Sequence, residues 1–222
     1  MMKRGLIIGD SGGIGAALFS ALEARGVTVT GLSRSRDGLD ITSEESVEQR
    51  LGALDGDYDL ILVTTGALEI GAHEPEKSLR KLTAEAMLAQ FKVNTVGPAM
   101  VLKHAVKLLP KDRRAVIAVL SARVGSIGDN NLGGWYSYRT AKAAVNQIIH
   151  TTAIELARSH KNTICVALHP GTVQTEFTRK YVGRHPSVPA PEAADNLLSV
   201  IDGLTTAQTG GFYDWAGKVI PW

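Results

Sequence analysis

With 222 residues, 44% of them hydrophobic and 21% charged, the chain is long enough to bury a sizeable core in one domain, residues 1–222, and leaves little room for a second. A formal charge of +2, with lysines and arginines interleaved among acids, leaves no basic stripe for nucleic acid, and no apolar run approaches membrane-spanning length. The single cysteine, Cys165, excludes an internal disulfide and a thiolate metal site.

The opening "MMKRGLIIGD" has an apolar core that stops after three residues, too short for a signal peptide, so a cytoplasmic protein is expected. From there, short apolar runs alternate with helical patterns. "LII" (6–8) precedes a helix over 14–25, "VTVTGL" (27–32) one over 43–53, and "DLILV" (59–63) one over 78–109. "AVIAVL" (115–120) precedes a helix over 136–159, and "TICVAL" (163–168) one over 191–203, with Pro191 suited to its first turn. Runs with so few charges read as strands covered on both faces. The expected fold is α/β, a Rossmann-type doubly wound, mostly parallel sheet of about seven strands with helices on both faces. The turn-rich stretch "VGRHPSVPAP" (182–191) reads as a surface loop and candidate lid at the carboxyl edge of that sheet.

The turn "GDSGGIG" between the first strand and helix carries Gly9, Gly13 and Gly15, with Ser11 and Ile14 between them. Glycines there allow positive φ and let backbone amides approach a pyrophosphate at the positive end of the helix. The second strand ends at Ser33, where an acid would bind the adenosine ribose of NAD(H). Ser33 does not repel a 2′-phosphate and Arg34 offers a planar fork for one, so NADP(H) is preferred and NAD(H) remains possible. Asp37 and Asp40 are alternative ribose ligands; Asp40 and Ile41 are otherwise expected beside the adenine.

"GGWYSYRTAK" (133–142) holds two tyrosines and one lysine. On a helix, residues four apart share a face while residues two apart diverge by about 200°. Tyr138 therefore aligns with Lys142, and Tyr136 with Thr140. Lowering a phenol pKa by about 3 units requires roughly 4 kcal/mol, within reach of a partly desolvated ammonium plus a nicotinamide cation. Tyr138 and Lys142 are the candidate proton-transfer pair.

With "TTG" (64–66), Asn94 in "KVNTVGP", Ser121 in "VLSARVGS" and "HPGTVQT" (169–175), these motifs make the chain resemble the short-chain dehydrogenase/reductase family from end to end. The closing "GGFYDWAGKVIPW" is similar to its C-factor-like and sniffer-type carbonyl reductase branch. The resemblance implies a reductase of ketones or aldehydes, or the reverse oxidation of an alcohol. Tyr138 would be the general acid, Lys142 its partner and ribose ligand, Ser121 the donor to the substrate oxygen, and Asn94 the holder of a relay water. Thr64, Thr65 and Gly66 would flank the cofactor, as would Pro170, Gly171, Val173 and Thr175 around the nicotinamide. A homodimer or homotetramer is likewise implied.

Three departures stand out. "VTTG" (63–66) replaces the family's two-asparagine element, Ser126 rivals Ser121 for the serine role, and Asp10-Ser11 stands where NADPH-preferring members place a base. The alternative reading is a dinucleotide-binding regulatory protein without catalysis. His169 is expected to structure its loop, and His73, His104, His150, His160 and His185 lack metal-ligand spacing. Trp135 is placed between packing and pocket lining, Trp215 and Trp222 in packing or subunit contact, and Phe177 and Tyr181 between lid and packing.

Overall fold

The computed structural model describes residues 2–180 and 186–222. The first half contains β1 (Arg4–Ile8), α1 (Gly13–Ala24), β2 (Thr28–Leu32), a single turn α2 (Arg34–Asp37), α3 (Glu44–Gly52) and β3 (Leu60–Val63). Then follow α4 (Ala84–Phe91), α5 (Gly97–Ala105), β4 (Ala115–Leu120), α6 (Tyr136–Ser159) and β5 (Thr163–His169). A two-residue pair, β6 (Val173–Gln174) and β7 (Val188–Pro189), flanks the undescribed residues, and α7 (Ala190–Gly203) and β8 (Phe212–Asp214) close the chain.

The central sheet is wholly parallel in the order β2-β1-β3-β4-β5-β8. Strand period decides which layer each side chain joins. Leu6, Ile8, Ile117 and Val119 pack beneath α3, α5 and α6, whereas Ile7, Val116, Ala118 and Leu120 pack beneath α1 and α7. Strand order reverses between β1 and β3, which opens a crevice at their carboxyl ends.

The central sheet has six strands rather than seven. The segment 39–41 stays outside the sheet: Leu39 and Ile41 are buried, but Leu39 N–H bonds Ser33 O and Asp40 N–H bonds Ser46 Oγ. The helix expected over 78–109 is also divided. Between α4 and α5 the chain widens into a π-helical turn, Lys92–Val96. Pro98 explains it: Pro98 has no N–H for the Asn94 carbonyl, and its ring would strike that carbonyl in a regular helix. Of the candidate lid, residues 182–185 lie outside the described residues, 188–189 form β7, and 190–191 open α7. Tyr181 and His185 also lie outside the described residues.

Candidate active site

A cleft of about 550 Å³ runs along the carboxyl ends of β1, β3, β4 and β5. One wall is the glycine turn. Gly9 has φ +99°, and a Cβ on Gly15 would stand 2.1 Å from the Gly9 carbonyl oxygen, so a side chain at Gly15 would break the turn. Thr64 Oγ1 braces it from β3, 3.0 Å from Ile8 O and 3.2 Å from Gly9 O. That supplies part of the bonding that the family's asparagines would give. The N-cap of α1, Gly12, has no capping side chain, so the first-turn amides face the cleft without a side-chain acceptor.

At the carboxyl end of β2, Ser33 is 3% exposed and its Oγ has no hydrogen-bond partner among the described residues; Thr65 Oγ1, on the opposite bank, is in the same state. Uncapped helix amides and the orphaned Thr65 hydroxyl of the cleft lining are what a dinucleotide would satisfy, so the rim fits one. Arg34 is exposed beside Ser33. Asp10, buried in the glycine turn, is paired with Arg36 Nη1 at 2.8 Å, a contact that no sequence motif signals. Asp37 accepts from the Ser33 amide, and Asp40 turns to its own loop, bonding Thr42 at 2.7 Å. Thr42 and nearby Arg34 and Lys92 hold the Asp40 carboxyl below its ordinary value. Ile41 packs inward: a Cβ on Gly97 would stand 2.7 Å from its Cδ1. Ser33, Arg34, Asp40, Ile41 and Gly9 therefore do not line the cleft itself, whereas Ser11, Gly13, Ile14 and Gly15 do.

Ser121, Tyr138 and Lys142 meet at the floor. All three are at most 5% exposed. Lys142 Nζ donates to Leu120 O at 3.0 Å, which anchors α6 to the end of β4, and sits 5.8 Å from the Tyr138 ring centroid. Burial pushes the Tyr138 phenol above its ordinary range and the Lys142 ammonium down to about 8. Tyr136 is half-buried and outside the cleft, as helical phase requires. Asn94, in the π turn, clasps the backbone of Ala67, accepting from its N–H at 3.1 Å and donating to its O at 2.8 Å. A Cβ on Gly66 would lie 2.9 Å from Asn94 Oδ1 and 3.5 Å from Lys142 Nζ, so this glycine lets the two side chains converge on the end of β3.

Ser126 is elsewhere: its Oγ bonds Pro221 O and accepts from Asp129 N–H, and it does not border the cleft. His169 does border it, and burial and nearby Arg123 hold it down to about 4, so it is neutral near pH 7. Pro170, Gly171, Val173 and Thr175 line the upper wall, with Glu176 and Phe177 beyond them. Trp135, the one described non-glycine residue with positive φ (+53°), sets its indole edge-on to Tyr138 at 6.2 Å. Arg123 and Val124 also border the cleft; no spacing rule marked them. Among the described residues no cluster of three metal-ligating side chains occurs, and no helix is long and apolar enough to cross a membrane.

Known proteins resemble this chain in sequence and in fold. A family model described as enoyl-(acyl carrier protein) reductase matches residues 9–198. The chain is 32% identical to 1-hydroxy-2-glutathionyl-2-methyl-3-butene dehydrogenase of Rhodococcus sp. (strain AD45), over 94% of this chain and 88% of that protein. Its fold matches the carbonyl reductase Sniffer of D. melanogaster (TM-score 0.82, 22% identity, all of both chains). It also matches an NADPH-bound carbonyl reductase from chicken fatty liver (TM-score 0.85, 21% identity, 100% of this chain and 94% of that one). A glycine turn at the switch point, a tyrosine and lysine one helical turn apart at the end of the fourth sheet strand, and these matches together place the chain in the short-chain dehydrogenase/reductase family of oxidoreductases.

Proposed function

We propose that the chain reduces a ketone or aldehyde to an alcohol with NADPH, or runs the reverse oxidation. The observation that carries this reading is the convergence of Ser121, Tyr138 and Lys142 on one cleft floor beneath the glycine turn. The first-turn amides of α1 would hold the pyrophosphate, Ser33 and Arg34 the 2′-phosphate, and Lys142 the nicotinamide ribose. Pro170, Gly171, Val173 and Thr175 would fix the nicotinamide face. The NADPH-bound structural neighbour and the orphaned Ser33 hydroxyl support this choice of cofactor.

The bound cofactor supplies the hydride to the carbonyl carbon. Tyr138 gives its phenolic proton to the carbonyl oxygen, and Ser121 donates a hydrogen bond to that oxygen as negative charge develops. Without the cofactor, burial raises the Tyr138 phenol instead of lowering it as the spacing with Lys142 led one to expect, so the Lys142 ammonium and a nicotinamide cation would together have to offset that burial and stabilise the phenolate left behind. Asn94, locked to Ala67, shapes the space beside Lys142 through which the phenolate is reprotonated. The Rhodococcus relative is named a dehydrogenase of a hydroxy compound, which suits the reverse direction of the same chemistry.

The test is NADPH consumption with a panel of carbonyl compounds, comparing wild type with Tyr138→Phe. Turnover that falls by about 10²–10⁴ in the variant supports the reading. Tight NADPH binding with no compound turned over would instead mark a dinucleotide-binding regulator.

A further inference from the structure

The Ser121 hydroxyl is already committed. Its Oγ donates to Asn146 Oδ1 at 2.6 Å, and both residues are buried, 4% and 2% exposed. The Asn146 amide is lopsided: its oxygen takes the Ser121 proton, while its Nδ2 has no partner among the described residues. A hydroxyl has one proton and two lone pairs, and a substrate carbonyl oxygen can only accept. Ser121 cannot donate to both.

A half-turn of the amide resolves the conflict. Asn χ2 is broad and roughly two-fold, so exchanging Oδ1 for Nδ2 leaves the side chain's volume unchanged. Nδ2 then donates to Ser121 Oγ, which ends its own isolation and releases the Ser121 proton toward the cleft that this residue lines. No other described hydrogen bond holds the amide in its present sense. Asn146 also borders a second cavity of about 270 Å³, with Gln147, His150 and Trp222.

We propose that Asn146 is a positioning residue that sets the direction of the Ser121 proton. With its oxygen toward Ser121 the hydroxyl is captured; with its nitrogen toward Ser121 the hydroxyl is a donor to the substrate oxygen. Asn146 lies on α6 one turn past Lys142 and two past Tyr138, so a single helix face carries the acid, its ammonium partner and the residue that orients the second donor. The inference rests on the carbonyl-reductase reading above.

The test measures kcat, KM and NADPH affinity from about pH 5.5 to about pH 9 for wild type, Ser121→Ala, Asn146→Asp and Asn146→Ala, with the carbonyl compound that wild type reduces fastest. Aspartate has asparagine's shape but, ionised, only accepts; it captures the Ser121 proton permanently. The expected result is a kcat for Asn146→Asp as low as that of Ser121→Ala near pH 8, about 10–100-fold below wild type, with NADPH affinity unchanged. Its ratio to wild type should then rise as acid protonates the new carboxyl group and lets it donate. Asn146→Ala, the greater loss of packing, should retain more activity than Asn146→Asp. A purely structural role predicts the opposite order, and that order, or a wild-type kcat in Asn146→Asp, would overturn the inference. If Asn146→Asp does not bind NADPH, Asn146→Ala decides alone: a kcat below wild type but above that of Ser121→Ala is expected, and a kcat equal to wild type or as low as that of Ser121→Ala would overturn the inference. A Ser121→Ala variant as fast as wild type would overturn the carbonyl-reductase role of Ser121 itself, a failure distinct from that of Asn146 alone.

Discussion

The side chain of Glu76 grips the first turn of the helix that bears Tyr138: one carboxyl oxygen accepts the Ser137 amide at 3.1 Å and the other accepts the Ser137 hydroxyl, while the Glu76 carbonyl takes the Trp135 amide. These contacts, made across 61 positions of sequence, stand in for the N-cap that Trp135 cannot provide. They also hold Trp135 in the left-handed conformation that sets it against Tyr138. Glu76→Ala should cost about 1–3 kcal/mol in chemical denaturation, because a buried amide and hydroxyl lose their acceptors. It should also lower kcat more than it raises KM. Glu76→Gln, which still accepts the amide, should recover most of both.

Lys142 is held at a cost that pH reveals. Its ammonium has an ordinary pKa of 10.5 in the unfolded chain and about 8 when buried. Between those values the unfolded chain binds the additional proton, so the stability of the cofactor-free protein should rise with pH from about 8 to about 10.5. Below about 8 the full penalty applies, on the order of 3 kcal/mol. Lys142→Met should therefore abolish turnover yet raise the melting temperature at neutral pH, with the advantage fading toward pH 10.5 in a thermal melt series. A variant less stable than wild type at neutral pH would contradict this.

Cofactor choice is expected to turn on Ser33. Ser33→Asp places a carboxylate where the 2′-phosphate would lie, and should raise the KM for NADPH by about 10-fold or more while lowering that for NADH. Initial rates with both cofactors check it. Arg36, by contrast, acts on stability. Arg36→Ala strips the partner from the Asp10 carboxylate and, because the Arg36 side chain is itself largely exposed, should destabilise the fold by about 1–2 kcal/mol, read by urea titration.

Lys180 ties the segment after β6 to the loop after β3, meeting Glu69 at 2.7 Å and Glu74 at 3.0 Å, close in sequence to Leu68 and Thr178 of the cleft lining. The pairs are exposed, and exposed pairs contribute little to global stability. Lys180→Ala should leave the melting temperature unchanged and raise the substrate KM a few-fold. Wild type should approach the variant as salt is added.

Most of the fold was legible because period and turn chemistry are local. The unbroken apolar run "AVIAVL", buried along its whole length, and the four-residue spacing of Tyr138 and Lys142 are each read without help from the rest of the chain. The π turn at Asn94 was written in the sequence too, in the proline four residues later, but a strongly helical pattern over 78–109 concealed it. The sheet stops one strand short of the expected seven, and the segment 39–41 stays outside it, its amides finding Ser33 and Ser46. What no local rule reaches are contacts between distant segments: Glu76 with Ser137, Arg36 with Asp10, Asn146 with Ser121. Each joins residues 25 or more positions apart, and only the folded sheet brings them within a hydrogen bond.

Gly13 has one more role beyond freeing the turn. A Cβ there would stand 2.6 Å from the Thr175 methyl, so the segment after β6 occupies the very volume that the glycine vacates. The roof of the substrate end and the floor of the phosphate end are thus one contact. A side chain at position 13 would therefore press on Thr175 and disturb both ends of the cleft at once.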